Sequence, residues 1–373
     1  MILRADARRL PLRDESVQVA ITSPPYWGLR DYGTGHWEGG VPSCDHGSGY
    51  QKGREDYGVN EYPSIAYERL VNRAGFGRRT ECSCGAIWKD SAVGLENTLD
   101  DYLRALMCVF REVRRVLRKD GLLWVNLGDT YSNSARGSGG TGSKSEKQKT
   151  NKGSYFLQRT PSIAGVPGHQ LLGIPWRVAL GLQADGWYLR SDIIWHKPNP
   201  MPEARSVRRC TVAHEYLFML AKSDMDYYWD GKAIEEDAIY DRTAESNGIL
   251  TGGNFGKTPP RTTGARSNQD FQQQFRAAIA AGKSMDKKNK RDVWTIGIEH
   301  SPESGHYATF PEALVLPCIL ASSRMGDIVL DPFGGTSTVG YVAERLGRRW
   351  LTTELSWNYC KSAQRRTAQM GLF

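Results

Sequence analysis

The segments VQVAITSPPYW at residues 17–27 and DIVLDPFGGT at residues 327–336 decide the fold. Each is an apolar, β-rich run that stops at a turn, which contains two prolines in the first segment and two glycines in the second. In an open α/β sheet, such turns lie at the carboxyl edge of the strands, where ligands bind. The two segments therefore predict two loops that share one edge of a sheet.

Alternating helices and strands in the rest of the chain complete this α/β pattern. Apolar residues recur at three- and four-residue steps over 99–119, which predicts a helix that follows the N-cap Thr98 and ends at Gly121. Further predicted elements are a strand at 122–127, a helix at 175–185, strands at 187–195 and 215–220, a helix at 338–346, a strand at 350–353 and a helix from 357. Because a bare strand at 2–4 opens the chain, we expect a circularly permuted Rossmann-like sheet.

Composition limits the class of protein. A chain of 373 residues can bury one α/β core and still carry irregular insertions. The net charge of +8 favours a polyanionic partner, and seven cysteines without a secretory signal argue against a disulfide framework. Since no stretch reaches the ~20 apolar residues of a membrane helix, we expect a soluble protein of a reducing compartment with no membrane partner.

Three stretches break the α/β pattern. Residues 39–94 are rich in Gly, Tyr and Cys, residues 132–160 form a Gly/Ser/Lys-rich basic segment, and residues 224–300 contain a similar stretch. The basic segment cannot bury a core, so we expect a flexible loop. The remaining ranges are assigned to one main domain: 1–38, 95–223 and 301–373.

The loop after residue 330 has the features of a nucleotide-like cofactor site. Gly334 and Gly335 let the backbone approach a ligand closely, and the helix that follows offers free N–H groups. Glu354 ends the next strand, where a carboxylate can accept hydrogen bonds from ribose hydroxyls. The chain has no P-loop of the form Gly-x4-Gly-Lys-Ser/Thr, which argues against a nucleoside triphosphate.

The Ser-Pro-Pro-Tyr loop has the features of a site for a flat ring with an amine. Its prolines fix the backbone and remove two N–H donors. The Ser23 hydroxyl and the Pro24 carbonyl can then act as hydrogen-bond acceptors, with Tyr26 as a stacking face. Such a site suits the exocyclic amine of a base, because accepting its hydrogens leaves the nitrogen lone pair available for attack.

The chain resembles the β-group DNA amino-methyltransferases, of the phage and bacterial type that carries a Cys/His insert. In that family a tetrad Asp/Asn/Ser-Pro-Pro-Tyr/Phe/Trp precedes a cofactor motif Asp-Pro-Phe-x-Gly-x-Gly. The tetrad matches residues 23–26, and the cofactor motif matches residues 331–335, with Ser337 in place of the last glycine. The resemblance implies the circularly permuted fold of S-adenosylmethionine-dependent methyltransferases, S-adenosylmethionine as cofactor and double-stranded DNA as partner. It also implies direct methyl transfer to the amine of a flipped-out base.

The resemblance carries roles onto individual residues. Asp6 is expected to contact the cofactor adenine, and the helix after Phe310 is expected to flank the cofactor. The expected catalytic residues are Ser23, Pro24, Pro25 and Tyr26. The expected cofactor-binding residues are Asp6, Phe310, Asp331, Pro332, Phe333, Gly334, Gly335, Thr336, Ser337, Thr338 and Glu354.

Basic and aromatic residues near these loops are expected to contact DNA. The predicted contacts are Trp27, Lys197, Lys287, Lys288, Lys290 and Arg291. The region 224–300 is expected to recognise the target sequence. Site roles for Asp129, Tyr131, His196 and His306 stay open, because strand ends also carry structural residues.

The first insert contains a candidate zinc site. Its four soft ligands, in a segment without a core, are Cys44, His46, Cys82 and Cys84. Their one-residue spacings are tighter than the usual two, and thiols in a flexible loop are the alternative. The other cysteines are expected to be buried small hydrophobic residues: Cys108, Cys210, Cys318 and Cys360.

Serine at the first tetrad position favours N4 of cytosine as the methylated atom. N6 of adenine is the alternative, because one acceptor cannot distinguish two similar amines. RNA methylation and a non-catalytic, zinc-containing DNA-binding protein are further alternatives. By resemblance we expect a role in restriction–modification or phage self-protection in the bacterial cytoplasm. The recognition sequence and the choice between monomer and dimer stay open.

Overall fold

The computed structural model describes residues 1–27, 34–41, 43–44, 82, 84–89, 92–96, 98–132, 135–136, 158–159, 166–200, 202–203, 208–237, 287–298 and 311–368. Most of the predicted insert 39–94, nearly all of the predicted loop 132–160 and much of the region 224–300 lie outside the described residues. The same holds for His46, His306 and Phe310.

Within the described ranges, the strands form one sheet of eight strands and three sheets of two strands each. The strands are β1 (Ile2–Arg4), β2 (Val17–Thr22), β3 (His36–Glu38), β4 (Ile87–Lys89), β5 (Leu117–Leu127), β6 (Ala135–Arg136), β7 (Gln158–Arg159), β8 (Tyr188–His196), β9 (His214–Ala221), β10 (Glu236–Asp237), β11 (Lys287–Lys288), β12 (Val293–Thr295), β13 (Ile328–Asp331) and β14 (Arg349–Glu354). The described α-helices are α1 (Leu99–Val116), α2 (Ile174–Ala184), α3 (Glu312–Ser322), α4 (Thr338–Arg345) and α5 (Trp357–Ala368).

The strand order of the main sheet is β1-β14-β13-β2-β5-β9-β8-β12. Neighbouring strands are parallel, except that β9 runs antiparallel to both β5 and β8. In a Rossmann sheet the order begins 3-2-1-4-5. Here β13 and β14 occupy positions 1 and 2, whereas β1, β2 and β5 occupy positions 3, 4 and 5. The predicted circular permutation is therefore confirmed, and the topological switch point lies between β13 and β2.

The central strands bury both of their faces. In β5, Leu123 packs in the cluster that contains Phe110 of α1 and Leu182 of α2, whereas Trp124 packs on the opposite face with Ile319 of α3. Because side chains of a strand alternate between faces, a strand covered on both sides is apolar throughout. This double burial explains the continuous apolar runs that mark these strands in the sequence.

The first helix ends earlier than its periodicity predicts. It stops at Val116, and Leu117 already pairs with Val17 in the sheet. The last carbonyls of the helix accept N–H groups from residues 15 and 16, which draws the chain into register with β2. Gly121 is not the helix stop that we predicted. It lies inside β5, where a Cβ would come within 3.0 Å of the Gln18 carbonyl oxygen.

Two compact units make up the chain. One comprises Met1–Trp229 and Asp292–Phe373, and the other comprises Asp230–Arg291. The second unit falls within the range 224–300 that was expected to recognise the target sequence. Within the described ranges, no helix combines the length and the apolarity that crossing a membrane requires.

Candidate active site

The two loops that decide the fold leave neighbouring strands at the same edge of the sheet. Strands β2 and β13 are parallel, with Leu330 paired to Ala20. Beyond this pair, the Thr22 hydroxyl donates a hydrogen bond of 2.7 Å to Asp331 Oδ1. Thr22 directly precedes the Ser-Pro-Pro-Tyr loop, and Asp331 opens the Gly-rich loop. A buried bond between residues 309 positions apart thus fastens the bases of the two loops to each other.

Asp331 is a structural anchor of this site. Its Oδ1 also accepts the Phe333 N–H at 3.0 Å, and its side chain is buried. Burial raises the pKa of Asp331 to about 7, although the bonds from Thr22 and Phe333 act in the opposite direction. The carboxyl group therefore titrates near neutral pH and holds the turn from inside the protein.

The Gly-rich loop has a shape that other residues would not allow. A Cβ on Gly334 would lie 1.7 Å from Thr352 Cγ2 on the neighbouring strand, so this residue must be glycine. Gly335 has a φ of +50° and open space where a Cβ would be. Ser337, which replaces the last glycine of the family motif, also adopts a left-handed φ, of +61°, at the N-cap of α4. Serine thus keeps the backbone conformation for which glycine is usual.

Glu354 closes the other side of this loop. Its Oε2 accepts the Gly335 N–H at 3.0 Å and its Oε1 accepts the Ser356 N–H at 2.7 Å. Burial raises its pKa above the ordinary value. Each carboxylate oxygen has a second lone pair, so Glu354 can accept a ribose hydroxyl as well. Two adjacent glycines beside a carboxylate leave space that fits an adenosyl cofactor.

The remaining cofactor candidates make mostly internal contacts. Asp6 lies just beyond β1 and forms an ion pair with Arg8 at 2.6 Å. Burial raises the pKa of Asp6, but hydrogen bonds from Arg8 outweigh it, so the net pKa is lowered. Thr336 and Thr338 are buried, and the Thr338 hydroxyl accepts a hydrogen bond of 2.9 Å from Arg366. Phe333 is half-buried and packs against the core.

Tyr26 is held by several hydrogen bonds at once. Its hydroxyl donates to Glu215 Oε2 at 2.7 Å and lies 3.3 Å from Asn126 Oδ1. Burial, and then the charge of Glu215, raise the pKa of Tyr26 well above its ordinary value, against a hydrogen bond with Ser23. The phenol therefore stays protonated and remains a donor. A Cβ on Gly128 would lie 2.9 Å from the Tyr26 ring, so the ring packs directly on this glycine.

The backbone of the Ser-Pro-Pro-Tyr loop is anchored to the first helix. The hydroxyl of Tyr102, a buried residue of α1, donates to the Pro25 carbonyl at 2.9 Å. The two prolines already restrict the φ angles of the loop. Together these constraints hold Ser23, Pro24 and Tyr26 in one conformation.

Glu215 was not among the predicted site residues. It also accepts a hydrogen bond of 2.5 Å from Lys197 Nζ, and the ammonium lies 4.3 Å from the Trp195 ring centroid. The signal that could have found Glu215 is a charged residue at the start of an apolar strand. Because β9 is antiparallel, its first residues lie at the edge where the parallel strands end.

Two predicted DNA contacts need correction. Trp27 is 3 % exposed and donates its indole N–H to the Glu96 carbonyl at 2.9 Å, so it is a core residue with no free face. The side chain of Lys197 is 15 % exposed and paired with Glu215, so its charge belongs to the network around Tyr26. Neither residue offers the accessible group that a DNA contact needs.

Three of the four residues whose roles stayed open have structural contacts, and His306 lies outside the described residues. The Asp129 carboxylate accepts the N–H groups of Gly173 and Ile174 at 3.0 and 3.1 Å and so caps the start of α2. Burial raises the pKa of Asp129 above its ordinary value. The Tyr131 ring lies under the Arg209 guanidinium at 4.1 Å. His196 Nδ1 lies 3.2 Å from the Thr295 hydroxyl.

The basic cluster of the second unit lies on the two-stranded ribbon of β10 and β11. Lys287 pairs with Asp237. Lys288 and Arg291 both pair with Glu236, at 3.4 and 2.5 Å. Lys287 and Arg291 are thus exposed and Lys288 is half-buried, and each of the three pairs with a carboxylate of β10.

Three of the four predicted zinc ligands lie together. The sulfur atoms of Cys44, Cys82 and Cys84 are all within 4.8 Å of one another, and His46 lies outside the described residues. Cys318 and Cys360 are buried, as predicted. Cys108 and Cys210 are exposed, contrary to our prediction. Cys108 lies on the solvent face of an amphipathic helix, which its apolar neighbours concealed.

The permuted sheet, with a Ser-Pro-Pro-Tyr loop and a Gly-rich loop at its switch point, defines the class of α/β methyltransferases. A family model described as "DNA methylase" matches residues 17–365. The chain belongs to this family, the N6- and N4-type DNA methyltransferases, which use S-adenosylmethionine.

Individual relatives agree with this assignment. The type II methyltransferase M.SmaI of Serratia marcescens is 34 % identical over 368 residues, which cover 98 % of this chain and 89 % of M.SmaI. The type II methyltransferase M.Cfr9I of Citrobacter freundii is 35 % identical over 361 residues, which cover 96 % and 83 %. The solved structure of the cytosine-N4-specific PvuII DNA methyltransferase has a TM-score of 0.51 at 16 % identity, covering 98 % of this chain and 85 % of that one. This last likeness is one of fold.

Proposed function

We propose that the chain methylates N4 of cytosine in double-stranded DNA, as the methyltransferase of a restriction–modification system or of phage self-protection in the bacterial cytoplasm. The bond from Thr22 to Asp331 is the observation that carries the proposal, because it joins the amine-accepting loop to the cofactor loop. Serine at position 23 favours cytosine N4, and adenine N6 is the second candidate. The type II methyltransferases among the relatives support the biological role.

The residues of both loops divide the chemistry between them. The Ser23 hydroxyl oxygen and the Pro24 carbonyl accept the hydrogens of the amine, and the Tyr26 ring stacks on the flipped-out base. These contacts direct the nitrogen lone pair at the methyl carbon. S-adenosylmethionine, when bound, supplies this methyl group on a positively charged sulfur. With S-adenosylmethionine bound, the amine nitrogen would take this methyl group from the sulfur and release its surplus proton to solvent, so no protein nucleophile is required.

The ribbon of β10 and β11 is our proposed phosphate contact, within the proposed recognition region 224–300. The basic residues at this ribbon are Lys287 and Lys288 in β11, and Lys290 and Arg291 just after it. Exposed ion pairs contribute at most about 1 kcal/mol, so lysine and arginine can exchange Glu236 and Asp237 for phosphates at little cost.

Nucleoside analysis tests the proposed product. DNA and RNA from cells that express the chain, and from cells with an empty vector, are digested and separated by chromatography with mass spectrometry against both methylated standards. We expect N4-methylcytosine in the DNA of expressing cells alone. N6-methyladenine instead would show that the target base is adenine and not cytosine. Methylation confined to RNA would overturn the assignment of DNA as the substrate. If no new methylated base appeared, the proposed catalytic activity would be overturned.

A further inference from the structure

Three cysteines outside the active site converge around one point. Cys44 follows β3, whereas Cys82 and Cys84 precede β4, and the two strands pair antiparallel. The pairing of Trp37 with the residue at position 88 brings the two segments together. Within the described residues, these thiols are the one group of three ligands that could share a metal ion.

The spacing of the sulfur atoms fits a metal and does not fit a disulfide. Cys44 Sγ and Cys82 Sγ are 3.7 Å apart. A disulfide would require about 2.05 Å. Two ligands of a tetrahedral zinc ion, each with a Zn–S distance of about 2.3 Å, lie about 3.8 Å apart. The observed separation is therefore close to one edge of a zinc–thiolate tetrahedron.

The surrounding backbone is shaped to hold these sulfurs. The Cys82 N–H donates to the Ala86 carbonyl at 2.7 Å, and the Gly85 N–H donates to the Cys82 carbonyl at 2.9 Å, which closes a tight turn. Gly85 has a φ of +84° in this turn. A Cβ on Gly40 would lie 2.7 Å from Cys84 Sγ, so glycine at this position makes room for the sulfur.

We propose that Cys44, Cys82 and Cys84 bind one structural Zn²⁺ ion as thiolates, with one further ligand completing the tetrahedron. Thiolates are soft ligands, which select zinc over the hard cations magnesium and calcium. An isolated pair of three-residue strands, such as β3 and β4, is at best marginally stable in water. Metal binding supplies folding free energy to such a segment. The ion thus fixes β3 and β4, and it takes no part in methyl transfer.

Metal analysis of purified protein tests the site. We expect about one zinc ion per chain in the wild type and in the control variant Cys108→Ser/Cys210→Ser, whose two cysteines are exposed and lie outside the cluster. Cys44→Ser/Cys82→Ser should lose the zinc. The proposal would be overturned if the wild type contained less than about a tenth of a zinc ion per chain, where a tetrahedral site holds one. Iron in place of zinc would overturn it as well.

A second measurement uses the wild-type protein and does not depend on the folding of a variant. Purified protein is alkylated with iodoacetamide before and after treatment with a chelator, and the modified peptides are mapped by mass spectrometry. We expect Cys44, Cys82 and Cys84 to react with iodoacetamide only after chelation. Cys108 and Cys210 should react both before and after chelation. Equal reaction of all five before chelation would contradict a zinc–thiolate site.

Discussion

Removing the Tyr26 hydroxyl should slow methyl transfer, because that hydroxyl fixes the plane of the ring. The phenol donates to Glu215 at 2.7 Å, and Lys197 donates to the other oxygen of the same carboxylate at 2.5 Å. Tyr26→Phe keeps the ring and removes this bond. Glu215→Gln keeps the size of the side chain and an acceptor oxygen but removes the charge that pairs with Lys197.

The size of the effect follows from the charge of the acceptor. A hydrogen bond to a charged group contributes about 1.5–3 kcal/mol. If the bond is needed in full to align the base, kcat should fall about 10- to 150-fold in Tyr26→Phe. Because both substitutions disrupt the same bond, the double variant should lose about as much as the worse single variant.

Single-turnover methyl transfer at saturating S-adenosylmethionine and DNA measures this coupling. Tyr188→Phe is the matched control, because Tyr188 is an exposed tyrosine at the start of β8. Its rate should equal that of the wild type. Losses that multiply in the double variant, or a wild-type rate in Tyr26→Phe, would refute the role assigned to the bond.

Backbone, burial and charge each give one further prediction. Gly335→Ala should weaken S-adenosylmethionine binding by about tenfold or more, because the added Cβ would occupy space proposed for the cofactor. A loss of ~1.4 kcal/mol of binding free energy corresponds to a tenfold weaker affinity. Gly326, just before β13, also has a positive φ (+81°, against +50° at Gly335) and open space for a Cβ, so calorimetry should show unchanged affinity for Gly326→Ala, and an equal loss in both variants would contradict this. The raised pKa of Asp331, about 7, means that the unfolded chain ionises it at lower pH. As the pH rises from about 4 to 7, the unfolding free energy of the cofactor-free protein should therefore fall by up to ~4 kcal/mol. Asp331→Asn should remove this pH-dependent part of the stability in urea titrations. Identical pH profiles for the wild type and the variant would count against the prediction. Lys288→Ala and Arg291→Ala should each weaken binding to any DNA and reduce the salt slope by about one unit, whereas an unchanged slope would argue against phosphate contacts.

Much of the fold could be predicted because its signals are local. Strands β2 and β13 are apolar runs that stop at Pro-Pro and Gly-Gly, and α1 carries a helical repeat. The permutation also followed from sequence, since a lone strand at residues 2–4 needs the partner that β14 provides. The meeting of the two loops then follows from the rule that parallel strands end at one edge.

What sequence could not predict depends on contacts between distant residues. Helix α1 ends at Val116 because the N–H groups of residues 15 and 16 donate hydrogen bonds to the last two carbonyls of the helix. Trp27 was expected to face DNA, yet its indole N–H donates a hydrogen bond to the Glu96 carbonyl. Glu215 reaches Tyr26 because β9 is antiparallel, and the direction of a strand is not visible in its apolar pattern. Each of these features depends on a distant partner residue, which the local spacing of apolar residues in the sequence does not identify.

One comparison tests most directly that both loops form a single site: S-adenosylmethionine affinity and single-turnover methyl transfer, measured side by side for the wild type and Tyr26→Ala. Stacking of a base on an aromatic ring is worth about 1–3 kcal/mol. We therefore predict a transfer rate about 5- to 150-fold lower, with the cofactor Kd unchanged within about threefold. An unchanged transfer rate, or a cofactor affinity that falls as much as the rate, would contradict a site in which Tyr26 holds the base and the Gly-rich loop holds the methyl donor.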